Sequence, residues 1–288
     1  MGAIHKVEVI ANVASGSVGK TAPDEIEALL AEFGLKTSVR APETSDLISC
    51  LRAAVDAAPD LLIILAGDGT ARAAAEMCGP DGPMIAPLPG GTMNMLPHAV
   101  YGVTTWQQAL KAALETGQER LIGGGEIDGH KFMVAAILGS PALWAPAREA
   151  ARVGQARKAW VNARLALRRA FSGRLRYILD SDPPEKAEAL VFMCPLTSRV
   201  LSDDAAALEA AALDVRDTAA AFRLGFHALT GDWRAAPGVE VEPCRRAHIW
   251  AARPIPAILD GETVRLKAMA DVRYLPKVAR ILAIPKAA

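Results

Sequence analysis

Six consecutive apolar residues, Leu61-Leu62-Ile63-Ile64-Leu65-Ala66, run directly into Gly67-Asp68-Gly69-Thr70. A strand with one wet face alternates polar and apolar residues, whereas a strand covered on both faces does not. The run therefore reads as an interior strand of a parallel sheet. Such a sheet needs crossover helices, and the flanking sequence supplies them. Lys6–Asn12 is a short β-branched run, Thr21–Phe33 has helical spacing at Ile26, Leu29, Leu30 and Phe33, and Leu35–Arg40 is a strand. Leu47–Ala57 is a helix ended by Pro59, Ala71–Met77 a helix broken by Gly79-Pro80-Asp81-Gly82-Pro83, Met84–Leu88 a strand and Thr105–Leu114 a helix. This rhythm predicts an α/β domain with a parallel sheet over residues 1–121.

After Leu121 the rhythm changes. Glu126–Leu138 reads as two short strands around the hairpin turn Asp128-Gly129. Arg174–Asp180 and Lys186–Cys194 read as a second pair, with further short strands at His248–Ala252, Ile255–Asp260 and Val264–Ala268. Residues 122–270 are expected to form an antiparallel β-sandwich with a helical insertion at Pro146–Phe171, and 271–288 to pack back on the first domain.

Composition removes several alternatives. Just over half of the 288 residues are hydrophobic and the formal net charge is zero, which fits a chain with a real core. No apolar stretch approaches the roughly 20 residues of a spanning helix, and the first residues show no signal-peptide pattern. Cys50, Cys78, Cys194 and Cys244 match no zinc or C-x-x-C spacing, so free thiols in a reducing cytoplasm are expected. The charge is uneven locally. From Arg148 to Arg176 the chain carries Arg148, Arg152, Arg157, Lys158, Arg164, Arg168, Arg169, Arg174 and Arg176 against Glu149 alone. That reads as a solvated helix face or a surface for anionic lipid headgroups, with nucleic acid a weaker third option because little aromatic interleaving accompanies it.

Four segments carry chemistry. In Gly67-Asp68-Gly69-Thr70, glycines let a phosphate approach the backbone, a helix start offers amides, and Asp68 stands where Mg²⁺ would be useful. Pro89-Gly90-Gly91-Thr92-Met93-Asn94 follows the next strand, so both turns should reach one sheet edge. Thr92 and Asn94 can donate hydrogen bonds there, although Thr92 can equally be a helix N-cap. Asn12 to Thr21 ends in Gly19-Lys20-Thr21, the tail of a Walker A loop, but Ala14 stands where its first glycine belongs. The other reading of this loop takes Asn12, Ser15 and Gly16 as ligand-facing. Asp260-Gly261-Glu262 is a good hairpin turn whose carboxylates could also supply a general base.

Taken in this order, the four segments resemble the diacylglycerol kinase catalytic-domain family, which includes bacterial diacylglycerol, sphingosine and ceramide kinases. The family's Asn-Pro-x-Ser-Gly, Gly-Gly-Asp-Gly-Thr, Pro-x-Gly-Thr-x-Asn and Asp-Gly-Glu motifs correspond to Asn12–Gly16, Ala66–Thr70, Pro89–Asn94 and Asp260–Glu262. The resemblance implies an ATP-dependent lipid kinase with its site in a cleft between an α/β domain and a β-sandwich. ATP phosphates would lie against Gly67, Asp68, Gly69, Thr70, Gly91 and Thr92, with Asn12, Ser15, Gly16 and Asn94 completing the nucleotide wall. Asp68 would help organise Mg²⁺, and Glu262 would accept the proton with Asp260 beside it. A role in phospholipid metabolism, at the cytoplasmic face of a membrane, is implied as well. Departures are Ala66 for a glycine, Val13 for a proline, Met95 where many relatives have Asp, and Ala210-Ala211 in place of an Asp-Gly turn. The last leads us to expect that a structural Mg²⁺ site of bacterial relatives is absent. The alternatives are a catalytically weak lipid-binding relative, a P-loop NTPase using Lys20, and a dinucleotide kinase.

Overall fold

The computed structural model describes residues 4–16, 18–139, 142, 174–198, 200–202, 205–213 and 239–285. The basic run Arg148 to Arg169, and Asp214-Val215 at the end of the expected metal-site stretch, lie outside these residues. Contacts divide the chain into two units. One is Met1–Gly123 with Pro276–Ala288, the other Gly124–Leu275.

The first unit is built on parallel strands β1 (Lys6–Ala11), β2 (Lys36–Arg40), β3 (Leu61–Ala66) and β4 (Met84–Pro89), in the order β2-β1-β3-β4. The six residues of β3 are all buried, as their unbroken apolarity requires. Between the strands run α1 (Ala22–Glu32), α2 (Leu47–Asp56) and α3 (Asp68–Cys78), followed by α4 (Met95–Tyr101) and α5 (Trp106–Thr116). The chain steps from β1 outward to β2, then returns to the other side of β1 for β3. That reversal is a topological switch point, and loops leaving the carboxyl ends of β1 and β3 border the crevice it creates.

In the first unit two helices differ from the sequence expectation. Helix α3 begins at Asp68 rather than Ala71, with Gly67 as its extended N-cap. Helix α4 is absent from that expectation. Pro97 lies in the first turn, where a missing N–H has no intrahelical partner to lose.

The second unit contains an antiparallel sheet of β7 (Ala135–Gly139), β10 (Ala189–Met193), β11 (Leu208–Leu213), β12 (Val239–Cys244), β14 (Pro256–Leu259) and β15 (Glu262–Arg265), ordered β12-β11-β10-β7-β14-β15. A second layer holds β8 (Leu175–Leu179), β9 (Glu185–Ala187), β13 (Arg246–Trp250) and the first half of β16 (Met269–Ala283), ordered β16-β13-β8-β9. The end of β5 (Gln118–Ile127) and β6 (His130–Phe132) form the hairpin expected at Asp128-Gly129. One core joins the layers, with Phe132, Leu138, Phe192 and Leu208 meeting Tyr177, Ile249 and Val272. The Lys186–Cys194 segment, expected as one strand, is divided at Glu188 into β9 and β10, which belong to different layers.

The second half of β16 belongs to the first unit, where Ile281 pairs in parallel with Ile85 of β4. Tyr101 at the end of α4 donates its buried hydroxyl to the Leu282 carbonyl at 2.7 Å. Tyr101→Phe should lower stability by about 1 kcal/mol, the usual net worth of one buried hydrogen bond. Urea unfolding checks this, and an unchanged midpoint would show that the bond contributes nothing.

Candidate active site

The three loops that leave β1, β3 and β4 meet at the carboxyl edge of the first unit. Pairing of Ala66 with Pro89 sets the last two loops side by side. A Cβ built on Gly91 would lie 2.6 Å from the Gly67 Cα, and one on Gly90 would lie 2.8 Å from the Ala66 nitrogen. These backbones touch, and only glycine allows it. The first loop closes from the other side: positions for a Cβ on Gly67 and Gly16 fall 3.5 Å from Ser15 Oγ and 3.3 Å from Thr92 Oγ1. Gly16, Gly67, Gly91, Ser15 and Thr92 thus form one small surface of backbone and hydroxyl groups.

Each loop is held by its own bonds. Asn12 donates its amide to the Leu65 carbonyl at 2.9 Å and accepts from the Ala14 amide through Oδ1 at 3.1 Å. Asn12 therefore shapes the first loop, and its carbonyl oxygen is turned toward that loop. Asn94 sits in the left-handed region at φ 50°, and its Oδ1 accepts from the Gly91 amide at 2.7 Å. The helix cap that sequence allowed at Thr92 falls at Asn94 instead, and Thr92 is left exposed.

Asp68 opens α3, with Gly69 and Thr70 in the same first turn. The first amides of a helix lack intrahelical partners and carry partial positive charge. The Asp68 Oδ1 accepts from the Leu96 amide at 3.2 Å, tying α3 to the start of α4. Burial lifts the Asp68 carboxyl above its ordinary 3.8, against the opposing pull of the Leu96, Met95 and Asn94 amides and of His98. A carboxylate stripped of water in this way gains from a cation at its remaining oxygen. Among the described residues no group of three side chains could hold a metal alone. A lone carboxylate could hold Mg²⁺ only together with ligands the protein does not supply, such as phosphate oxygens and water.

In the second unit, Asp260 and Gly261 form a two-residue hairpin turn with φ of 47° and 89°, joining β14 to β15. The sequence put Asp260 beside the base, but the structure gives its carboxylate another task. Asp260 is buried, and its oxygens accept from the amides of Met133 at 2.8 Å and of Val134 and Ala135 at 2.9 Å. Its own amide donates to the Ala135 carbonyl at 2.9 Å. Asp260 is a positioning residue that fixes the hairpin, and Glu262 stands exposed at the start of β15. The tripeptide read as one motif is split between a clamp and a surface carboxylate. The apolar surroundings of Asp260 were the sequence signal for that split.

Ala210 and Ala211, at the expected metal-site turn, lie within β11, paired with Phe192 and Val191 of β10. The segment is an interior strand rather than a loop. The four cysteines carry free thiols, and burial pushes those of Cys78 and Cys244 up to about 11 and about 12.

A parallel sheet with glycine turns at its switch point has its crevice where open α/β sheets bind ligands. Residues 6–124 match the family model of the diacylglycerol kinase catalytic domain. That span holds three of the four motifs that carry the resemblance, Asn12–Gly16, Ala66–Thr70 and Pro89–Asn94. Across its full length the chain is similar to a putative diacylglycerol kinase from Bacillus anthracis, at 16% identity and TM-score 0.74, with both chains covered completely. A diacylglycerol kinase structure from the same organism matches at 14% identity and TM-score 0.70, again over both whole chains. A yeast NADH kinase complexed with NADH matches all of this chain and 85% of its own, at 11% identity and TM-score 0.53. A search of curated proteins gives no match.

Two outcomes follow from this geometry. Asp260→Ala leaves three buried amides without an acceptor and should cost about 3 kcal/mol or more in urea unfolding. Asp68→Asn removes a charge whose ionisation opposes folding. Below pH 3.8 the acid is neutral in folded and unfolded chains, and its penalty grows as pH rises toward the lifted folded value. At neutral pH the Asp68→Asn variant should therefore melt at the same temperature as the parent protein or higher. A lower melting temperature would show that the carboxylate's bond to the Leu96 amide outweighs its desolvation.

Proposed function

We propose that the protein transfers the γ-phosphate of ATP to a hydroxyl of a membrane lipid. The observation that carries the reading is the meeting of three glycine-bearing loops at the carboxyl ends of β1, β3 and β4, with Asp68 at the helix start beside them. The glycine surface admits phosphates against backbone amides, and the α3 start adds positive potential. Thr92 and Ser15 hydroxyls offer further hydrogen bonds. Mg²⁺ bound with ATP would be held through Asp68 and would neutralise phosphate charge as it builds up. Positioning and electrostatics of this kind provide most of the acceleration in phosphoryl transfer.

The acceptor hydroxyl must lose a proton as the new P–O bond forms and the bond to ADP breaks. Glu262 is our candidate acceptor for that proton. It is exposed, and the Asp260 clamp fixes the turn that carries it. The lipid assignment comes from the family match and from the whole-chain likeness to diacylglycerol kinase structures. Similarity to an NADH kinase makes a dinucleotide the competitor to test, since both acceptors suit the same nucleotide half.

Labelled Mg-ATP incubated with total membrane lipid, and separately with NAD, tests the reading. Label should enter an organic-soluble lipid. Label in NADP, or in neither, would overturn it. Glu262→Gln should lower turnover by about a hundred-fold, at the lower end of what a positioned general base provides. Lys20→Ala should leave turnover within a few-fold, because in this reading Lys20 is not a phosphate lysine. Loss of all activity in that variant would favour a P-loop mechanism instead.

A further inference from the structure

The second unit has a feature that phosphoryl transfer does not use. In the layer β16-β13-β8-β9, strand register places Met269 opposite Trp250, Trp250 opposite Arg176, and Arg176 opposite Lys186. One row thus crosses four strands, passing from apolar to aromatic to cationic. Strand alternation fixes where it points. The neighbours Ala270, Ile249, Leu175, Tyr177 and Ala187 are buried, so the row occupies the opposite face, and Met269 is 59% exposed. Arg174, two residues before Arg176, shares that face. Together with Ala251 and Ala252, the cations and Trp250 line a groove of ≈ 430 Å³.

Among the described residues, two carboxylates on the neighbouring strands have other partners. Asp271 meets His248 Nδ1 at 2.6 Å, and Glu126 meets Arg273 at 2.8 Å. Trp250 lies against His248, with ring centroids 5.4 Å apart, and also lines the groove. An exposed methionine beside a half-buried tryptophan is costly against bulk water and at home at a headgroup boundary, where tryptophan is enriched. Arginine and lysine beside them match lipid phosphates.

We propose that this row is a docking surface for an anionic phospholipid membrane, with Met269 and Trp250 entering the interface and Arg176 and Lys186 on the phosphates. The choice of a membrane as occupant rests on the lipid-acceptor reading. The row itself does not.

Sedimentation of the full chain with vesicles tests the proposal, using phosphatidylcholine alone or mixed with phosphatidylglycerol at physiological salt. The protein should bind the mixed vesicles and not the neutral ones. Each basic residue near such a surface is worth roughly five-fold in partitioning. R176E/K186E should therefore bind at least roughly 30-fold more weakly, with an unchanged urea midpoint. W250A/M269S should weaken binding while keeping its salt dependence. Inorganic phosphate at millimolar concentration should not compete. Equal binding to both vesicle types, wild-type binding by R176E/K186E, full competition by phosphate, or tighter binding to a DNA duplex would each overturn the proposal. Activity separates this from the lipid-kinase reading. R176E/K186E should phosphorylate a short-chain lipid in solution normally and the same headgroup in vesicles poorly. A protein that docks as described but phosphorylates no lipid would sink the kinase reading alone.

Discussion

The contact between Gly67 and Gly91 is the constraint on which the nucleotide half depends. Two parallel strands, β3 and β4, end beside each other, and the loop leaving β4 passes so close to the end of β3 that Gly90 and Gly91 have no room for a side chain. That approach leaves backbone amides where phosphates can reach them, and it packs Asp68 against the start of α4. The same crowding desolvates the carboxylate, which costs stability and readies it for a cation. Stability given up at a site in this way is common where charge must be handled.

The second unit is organised around a different buried carboxylate. Asp260 is nearly as enclosed as the core, yet it carries its charge against three backbone amides. Hydrogen bonds to a carboxylate are the strong ones, and these three define the turn. One acid thus keeps a loop in place while its neighbour, Glu262, stays in solvent.

Much of this was legible in the sequence because buried parallel strands have a plain signature. Leu61–Ala66 was bounded correctly at both ends, and the glycine turns expected at one sheet edge do meet there. What escaped was set by tertiary context. Leu208–Leu213 is alanine-rich and reads as helix or loop, yet it becomes a strand because β10 and β12 pair with it on both sides. The long β16 carries Pro276 and basic residues that disguise it, and non-local pairing holds it extended. The apolar run before Asp260 hinted at its inward turn, but its partners, the amides of residues 133–135, lie far away in the chain. Local pattern identifies what a segment can do, and distant partners decide which of those options is used.

The central claim is that the three glycine-bearing loops form a cradle for the phosphates of ATP. Amide hydrogen exchange with and without Mg-ATP tests it most directly. Slowed exchange confined to residues 12–20, 67–71 and 90–96 is the result this account requires. Unchanged exchange there, with protection arising elsewhere in the chain, would contradict it.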